Sequence, residues 1–513
     1  MIFVTQEVFI SNKFKSWGTR APTILIGGIL IRMVKFLLPL GIIGMMIMFF
    51  LMIKPINEQT DVELWLTTAD QKNLLTEQDP LIFNEEPAAN QPVIQVDPNV
   101  EFQTIEGFGS AITGSSAYLI NNKMSIQQRE KLLNDLFSED GINMNFVRHT
   151  IGASDFSVDQ EGNPFSYTYN DIETEADYNL EHFTIEKDAD IIQLLQDIVS
   201  LNQEMKIMGT PWTAPAWMKY EKEMNGWYLD YENSNVYETY ANYFVKYIKA
   251  YQEKGITIDA ITVQNEPEFT SSAYPSMSMS AQEQSKFINE YLGPAFAANN
   301  IPTKIIGYDH NWANGLDYAT TLFQDKRTNS FTAGTAFHCY EGDPSSMSKV
   351  HDAFPHKGIY LTECSGGKWN TDFGSNLSWY MSNLIIGGPR NWARTVMLWN
   401  TALDESGGPT NGGCADCRGV VTIDKQSGSV NKNVEYYAIG HASKFVKPGA
   451  VRISSTNYKG DIESVAFQNP DDSIVLILSN PGQDSKSFQV SYSGEYFSYS
   501  IEPNSAVTFK WSS

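Results

Sequence analysis

Past residue 104 the chain alternates short apolar runs with longer stretches whose apolar positions recur at helical spacing. The short runs are Glu106–Ser110, Asn143–Arg148, Lys206–Trp212, Ala260–Gln264, Lys304–Tyr308, Gly334–His338, Gly358–Thr362 and Thr395–Trp399. Between them, Ser125–Phe137, Ile185–Ser200, Val236–Glu253 and Ala281–Ala298 carry helical patterns. In Val236–Glu253, Tyr240, Phe244 and Tyr247 share one stripe, which reads as packing rather than chemistry. Strand-like runs alternating with helices predict an α/β fold with a parallel sheet. Eight such units over residues 105–435 predict a (β/α)8 TIM barrel with insertions.

The pattern changes near residue 440. Ser464–Gln468, Ser473–Ser479, Ser487–Tyr492 and Ala506–Trp511 are short strands separated by turn sequences at Asn469-Pro-Asp-Asp-Ser473 and Asn480-Pro-Gly482. They predict an appended antiparallel β-sandwich over 436–513, completed by strand-like residues 91–104 crossing over from before the barrel. Residues 55–90 are polar, contain Asn, Glu and Pro, and read as a linker.

At the amino terminus, Phe36–Ile53 is an uncharged, largely apolar run of 18 residues, about the minimum for spanning a bilayer. Lys13, Lys15, Arg20, Arg32 and Lys35 precede it, and the chain turns acidic beyond Lys54. This asymmetry predicts a signal peptide or signal anchor in 1–54, with the remainder exported and secreted, periplasmic or held at the cell surface. Met33-Val-Lys-Phe-Leu-Leu38 also has the form of a signal-peptide start.

Composition narrows the partners. A net charge of −24 argues against nucleic acid or an anionic membrane surface, and a neutral substrate would not be repelled. Any membrane association is expected only through the amino-terminal segment. Eleven Trp and 25 Tyr suit sugar stacking, about half of them being ordinary core. Four cysteines are too few for a disulfide scaffold. Cys414 and Cys417, in a glycine-rich loop, read as a loop disulfide or two thiols rather than half a zinc site. The state of Cys339 and Cys364 is left open, and no metal or cofactor is implied.

Chemistry-bearing residues collect at the carboxyl ends of the predicted strands. Arg148, Trp212, Asn265, Glu266, His338, Glu363 and Trp399 all lie at or just beyond them, on the face where (β/α) barrels keep their active sites. Pro267 cannot donate to a sheet ladder, so the fourth strand stops at Asn265-Glu266. The seventh run likewise ends on Glu363. Two glutamates at strand ends suggest the carboxylate pair of a retaining glycosidase, with carboxyl groups roughly 5–5.5 Å apart. In that reading Glu266 is the acid/base, its pKa raised by the neighbouring Glu363. Glu363 is the nucleophile, held by donors such as Arg148 and Tyr340. Asn265 bonds the sugar 2-hydroxyl, Trp212 and Trp399 wall the sugar, His338 lines the site, and Glu268 belongs to a solvated loop.

At these residues the chain resembles glycoside hydrolase family 30, the family of lysosomal glucosylceramidase and of bacterial and fungal β-1,6-glucanases. The resemblance is carried by Glu106-Gly-Phe-Gly-Ser110, Val147–Ser157, Thr210–Trp217, Val263-Gln-Asn-Glu-Pro267, Leu361-Thr-Glu-Cys364, Leu398-Trp-Asn400 and Gly440–Phe445. It implies a barrel with a side β-sandwich and retaining cleavage of a β-glycoside. By motif position it implies acid/base Glu266 and nucleophile Glu363, with Arg148, Trp212, Asn265, His338, Tyr340 and Trp399 around the reacting sugar. One departure is expected: Gly114 stands where the glucosylceramidase branch is expected to carry an Asp gripping the glucose hydroxyls, leaving Asp309 or the loop around Asp416 to fill the gap. The resemblance favours β-1,6-linked glucose as substrate. A β-glucosidase or glucosylceramidase-type enzyme is the first rival, and a non-catalytic glucan-binding surface protein the second. Endo or exo action and oligomeric state are not set by the sequence.

Overall fold

The computed structural model describes residues 61–513 apart from 173–175. The predicted export segment lies outside the described residues, and among these no helix is long and apolar enough to cross a membrane.

The eight predicted strands all form and close into one parallel barrel. In chain order they are Gly107–Ile112, Phe146–Ile151, Lys206–Pro211, Ala260–Thr262, Lys304–Asn311, Thr332–His338, Gly358–Glu363 and Ala393–Asn400. Helices cover their outer faces, so four of the eight strands are buried at every position and show no polar alternation. Helix starts follow local chemistry: Ser125 and Ser280 each close a capping box, with Gln128 and Glu283. Tyr240, Phe244 and Tyr247 are buried on the helix Ser234–Glu253, as the stripe predicts.

Strand periodicity explains how the barrel carries a site. Phe146, Met208, Ala260, Ile306, Ala336, Tyr360 and Met397 meet in one apolar plug. Inward side chains recur every two residues. The next inward layer is therefore Arg148, Thr210, Thr262, His338, Thr362 and Trp399, which is mostly polar. The fifth strand breaks the period. Its register shifts between Tyr308 and His310, and Tyr308 and Asp309 have φ of 67° and 78°. This local bulge turns Asp309, rather than its neighbour, into the barrel.

The second layer corrects the sequence reading at its amino-terminal edge. Residues 55–90 are not a linker throughout: Asp61–Thr67 and Thr76–Ile82 are strands of a nine-stranded sheet. Asp61–Thr67 pairs with the last strand, Ser505–Trp511, and Val93–Thr104 inserts beside Val451–Ser455. The sheet folds over its own core, where Phe497 of one edge strand meets Phe509 of the third strand from the other edge, ring centroids 5.0 Å apart. Most pairs are antiparallel, but Val93–Thr104 runs parallel to Lys486–Tyr492. The helix Val434–Ser443 straddles the expected boundary at 435/436, and the sheet resumes only at Val451. From that helix His441, fully buried, is held between the hydroxyls of Thr67 and Thr508, each at 2.8 Å.

Candidate active site

Arg148, on the second strand, lies at the centre of the polar layer and is wholly buried. Its guanidinium donates to Glu363 Oε2 at 2.6 Å, Asn265 Oδ1 at 2.7 Å, Asp309 Oδ2 at 2.9 Å and Thr210 Oγ1 at 3.2 Å. A buried cation is tolerable only when paired and hydrogen-bonded, and every nitrogen of this one has a partner. Above it Trp212 and Trp399 stack on each other, centroids 5.1 Å apart, and both rings take the guanidinium within 5.4 Å.

Asp309 is the anion beneath the site. It accepts from Arg148, from Thr262 and Thr362 at 2.7 Å each, and faces His338 Nε2 at 3.1 Å. Burial opposes its charge, but Arg148 and His338 outweigh that and hold its carboxyl well below the usual range. His338 has carboxylates on both sides, with Nδ1 3.2 Å from Glu266 Oε1. Burial alone would favour the neutral ring, yet Glu363, Asp309 and Glu266 push its pKa up to about 10. His338 is thus a cation between two anions, a larger part than lining.

Glu266 sits just past the fourth strand with φ of 44°, a left-handed conformation uncommon outside glycine. Its backbone N–H bonds the Asp309 carbonyl at 3.0 Å, which locks that turn to the bulge of the fifth strand. The expected upward shift of its pKa is not found. Burial pushes it up, but the His338 hydrogen bond and the charges of His338, His310 and Arg148 bring it below the ordinary carboxyl value. Glu363 differs: besides Arg148, it accepts from Tyr340 Oη at 2.8 Å. The Tyr340 residue is 45% exposed, but its hydroxyl faces inward. Burial, Glu363 and Glu266 hold that hydroxyl protonated well beyond its normal range.

One carboxylate oxygen of Glu266, one of Glu363 and a ring nitrogen of His338 all lie within 4.8 Å of one another. Among the described residues this is the one such trio that could hold a cation, but His338 would first have to lose its proton. All eight predicted site residues converge on this mouth, and Glu268 is exposed as expected. Both cysteine pairs are disulfides. Cys339–Cys364 joins the residues following His338 and Glu363, and Cys414–Cys417 packs beside Trp399 and Phe156.

The sequence reading missed Asp155 and misplaced the consequence of Gly114. A side chain at 114 would meet the Ser157 backbone at 3.2 Å, in a cleft bordered by none of the eight site residues. Asp309 is committed beneath the floor and Asp416 is exposed. Asp155, just beyond the second strand, has a buried Oδ1 with no partner among the described residues. Burial and the neighbouring charges of Glu363 and Glu266 raise its pKa well above the usual range. Gly413 approaches so closely that a Cβ there would lie 2.6 Å from the other carboxyl oxygen. The visible signal was a polar Ser154-Asp155 following strand two, in the same position as Asn265-Glu266 after strand four.

A parallel barrel that brings two carboxylates to its carboxyl mouth, beside a buried arginine and stacked indoles, is built for cleaving glycosides. The chain belongs to glycosyl hydrolase family 30: the family's TIM-barrel domain matches residues 105–446 and its beta sandwich domain residues 449–509. An endo-1,6-beta-D-glucanase of Aspergillus fumigatus is 35% identical over 434 residues, 79% of this chain and 85% of that protein. A putative glucosylceramidase of Caenorhabditis elegans is 32% identical over 75% of this chain and 76% of its own length. Among solved structures, the endo-beta1,6-glucanase BT3312 superposes with a TM-score of 0.80 at 33% identity, covering 88% of this chain and all of that one.

Proposed function

We propose that the protein hydrolyses β-1,6-linked glucan with retention of configuration. The observation that carries the mechanism is the asymmetry of the two glutamates. Glu363 is paired with a guanidinium and a tyrosine hydroxyl, while Glu266 faces only an imidazolium, and their oxygens approach within 4.8 Å. That separation suits direct attack better than an intervening water, which needs a wider gap. Glu363 attacks the anomeric carbon and Glu266 protonates the departing oxygen. Water activated by Glu266 then releases the sugar.

The proton for the first step rests at His338 Nδ1, one hydrogen bond from Glu266 Oε1. When it moves to Glu266, His338 keeps the Nε2 proton, which donates to Asp309. Asn265, fixed by Arg148, presents its amide to the 2-hydroxyl. Asp155 takes hydroxyls on the far side of the ring through its protonated carboxyl, so the sugar keeps an acidic side chain as a partner despite Gly114. Similarity to endo-1,6-beta-glucanases supports the linkage. The basic and apolar amino terminus supports action outside the cell.

The test is incubation with a β-1,6-glucan, a branched β-1,3/1,6-glucan and an aryl β-glucoside, resolving products by size. A 2-deoxy-2-fluoro glucoside run in parallel should label Glu363 covalently. Cleavage of the 1,6 linkages, lost in Glu363→Gln, is expected. Release from the aryl glucoside alone would replace the glucan by a small glycoside. Binding of glucan with no product would overturn the enzyme reading.

A further inference from the structure

Beyond Glu266 the chain forms a loop, residues 267–279, which meets the loop 219–231 that follows Trp217. Their junction is a cleft of about 920 Å³, lined by Trp227, Tyr228, Asn225, Thr270, Ser271 and Ser272 among others. We propose that this cleft binds glucosyl residues on the leaving-group side of the scissile bond, so that the enzyme cuts within a chain. The assignment rests on the glucan-hydrolase reading above and extends it to a second binding site.

Four features support it. The first is chemistry: the lining combines two flat rings with amide and hydroxyl groups and one carboxylate, Glu223, a set suited to hydrogen-bonding neutral sugars, and contains no Lys or Arg that would select an anion. Trp227 remains 43% exposed and Tyr220 beside it 54%, so the rings are not consumed by packing. Tyr220, Tyr228 and Tyr231 form a stack, with centroids 5.3 and 5.4 Å apart, that stiffens the wall behind them.

Continuity is the second. The Glu266 carbonyl accepts from Phe269 N at 2.9 Å, so the loop starts from the acid/base itself. Tyr274 on the same loop packs beside Trp212 and Trp399, and its hydroxyl lies in the field of Asp155, Glu266 and Glu363. The 270–278 segment therefore borders the carboxylates on one side and the cleft on the other. The general acid stands on the leaving-group side of the bond it protonates, which puts the cleft on that side.

The third is that the cleft is held open. Lys219, almost wholly buried, donates to Thr213 Oγ1 at 2.8 Å, to the Met224 carbonyl at 2.8 Å and to the Ser276 carbonyl at 2.9 Å. One ammonium thereby ties both lips to the residue after Trp212. Ser278 N and Oγ both bond the Trp227 carbonyl, at 2.8 and 3.2 Å. They fix Trp227 at φ of 61°, a conformation costly for a bulky residue. The fourth is extent. A second groove of about 530 Å³ shares Tyr228 and Ser278 with the first and runs on toward Tyr318, giving a chain room to continue.

The test is the dependence of kcat/KM on length in β-1,6-linked gluco-oligosaccharides of two to six units. Wild type should gain rate with each unit that reaches the cleft. Trp227→Ala should cut the ratio of longest to shortest roughly tenfold, the loss expected of an anchoring aromatic, with Trp227→Phe restoring part of it. A Trp227→Ala enzyme that keeps the wild-type ratio would overturn the assignment while leaving the hydrolase reading intact. A wild type that cleaves none of the series would overturn the hydrolase reading itself. Unchanged melting behaviour of Trp227→Phe guards against a folding artefact.

Discussion

His338 settles how one buried cluster can hold three carboxylates without collapsing into a single salt bridge. Its ring lies between Glu266 and Asp309, and Arg148 answers Asp309 and Glu363 from the other side. With a pKa near 10, His338 keeps its second proton through neutral pH and loses it as the pH rises through that value. The carboxyl of Glu266, pushed up by burial but brought down by the hydrogen bond and charge of that ring, stays ionised while His338 is an imidazolium. The His338–Glu266 pair therefore stays loaded with one proton up to the alkaline range. His338→Gln removes the store and leaves Glu266 to titrate alone. The alkaline limb of the kcat/KM profile should then move down toward the carboxyl range, with activity at pH 7 falling roughly 10²- to 10⁴-fold, the span of a lost general acid. An alkaline limb that moves up would mean that His338 only acidifies Glu266. The sequence placed Glu266, Glu363 and His338 at strand ends because proline and loop residues mark those ends. It did not show His338 charged, because that takes Glu363, Asp309 and Glu266 together, and Asp309 faces inward only through a bulge that no periodicity foretells.

At the scale of elements, strand ends have to be held in register with one another, and the Cys339–Cys364 disulfide does this for the sixth and seventh strands. It lies between His338 and Tyr340 on one strand end and follows Glu363 on the other, so it fixes the span over which Tyr340 Oη reaches Glu363 Oε1 at 2.8 Å. Cys364 is fully buried and Cys339 is 9% exposed, so a mild reductant should not reach the bond in the folded enzyme. Replacing both cysteines by alanine should lower stability by about 3.5 kcal/mol, the chain-entropy value for closing a loop of this size. It should also lower kcat more than it raises KM, since Tyr340 would no longer be held on Glu363. Urea denaturation of the two proteins and their Michaelis parameters measure this; equal midpoints and equal kcat would contradict it. The eight barrel strands were legible because each is a buried apolar run. The disulfide was not, because consecutive barrel strands bring Cys339 and Cys364 to neighbouring ends without saying that their side chains turn toward each other.

For the whole molecule, the polar stretch before the barrel is where sequence and structure part. Thr76–Ile82 reads Thr-Glu-Gln-Asp-Pro-Leu-Ile and is mostly exposed, an edge strand with Pro and charges that blunt further pairing. Such an edge carries no apolar alternation, so it looks like a linker. Yet Val62, Leu64 and Phe83, from the same stretch, are at most 3% exposed within the sandwich core. Each contributes about 1.5–3 kcal/mol of burial. Together they approach the whole stability of an ordinary domain, about 5–15 kcal/mol. The loss would also reach the barrel. Thr67 holds one nitrogen of His441, and Leu75 packs on Gly440, both on the helix that bridges the layers. A chain beginning at residue 91, where the sequence alone would place the first strand, should therefore expose the long edge Ser505–Trp511 and aggregate. A chain beginning at residue 61 should fold and hydrolyse glucan. Solubility, thermal melting and activity of the two chains decide it, and equal melting temperatures would show the first two strands to be an ornament on a sandwich complete without them.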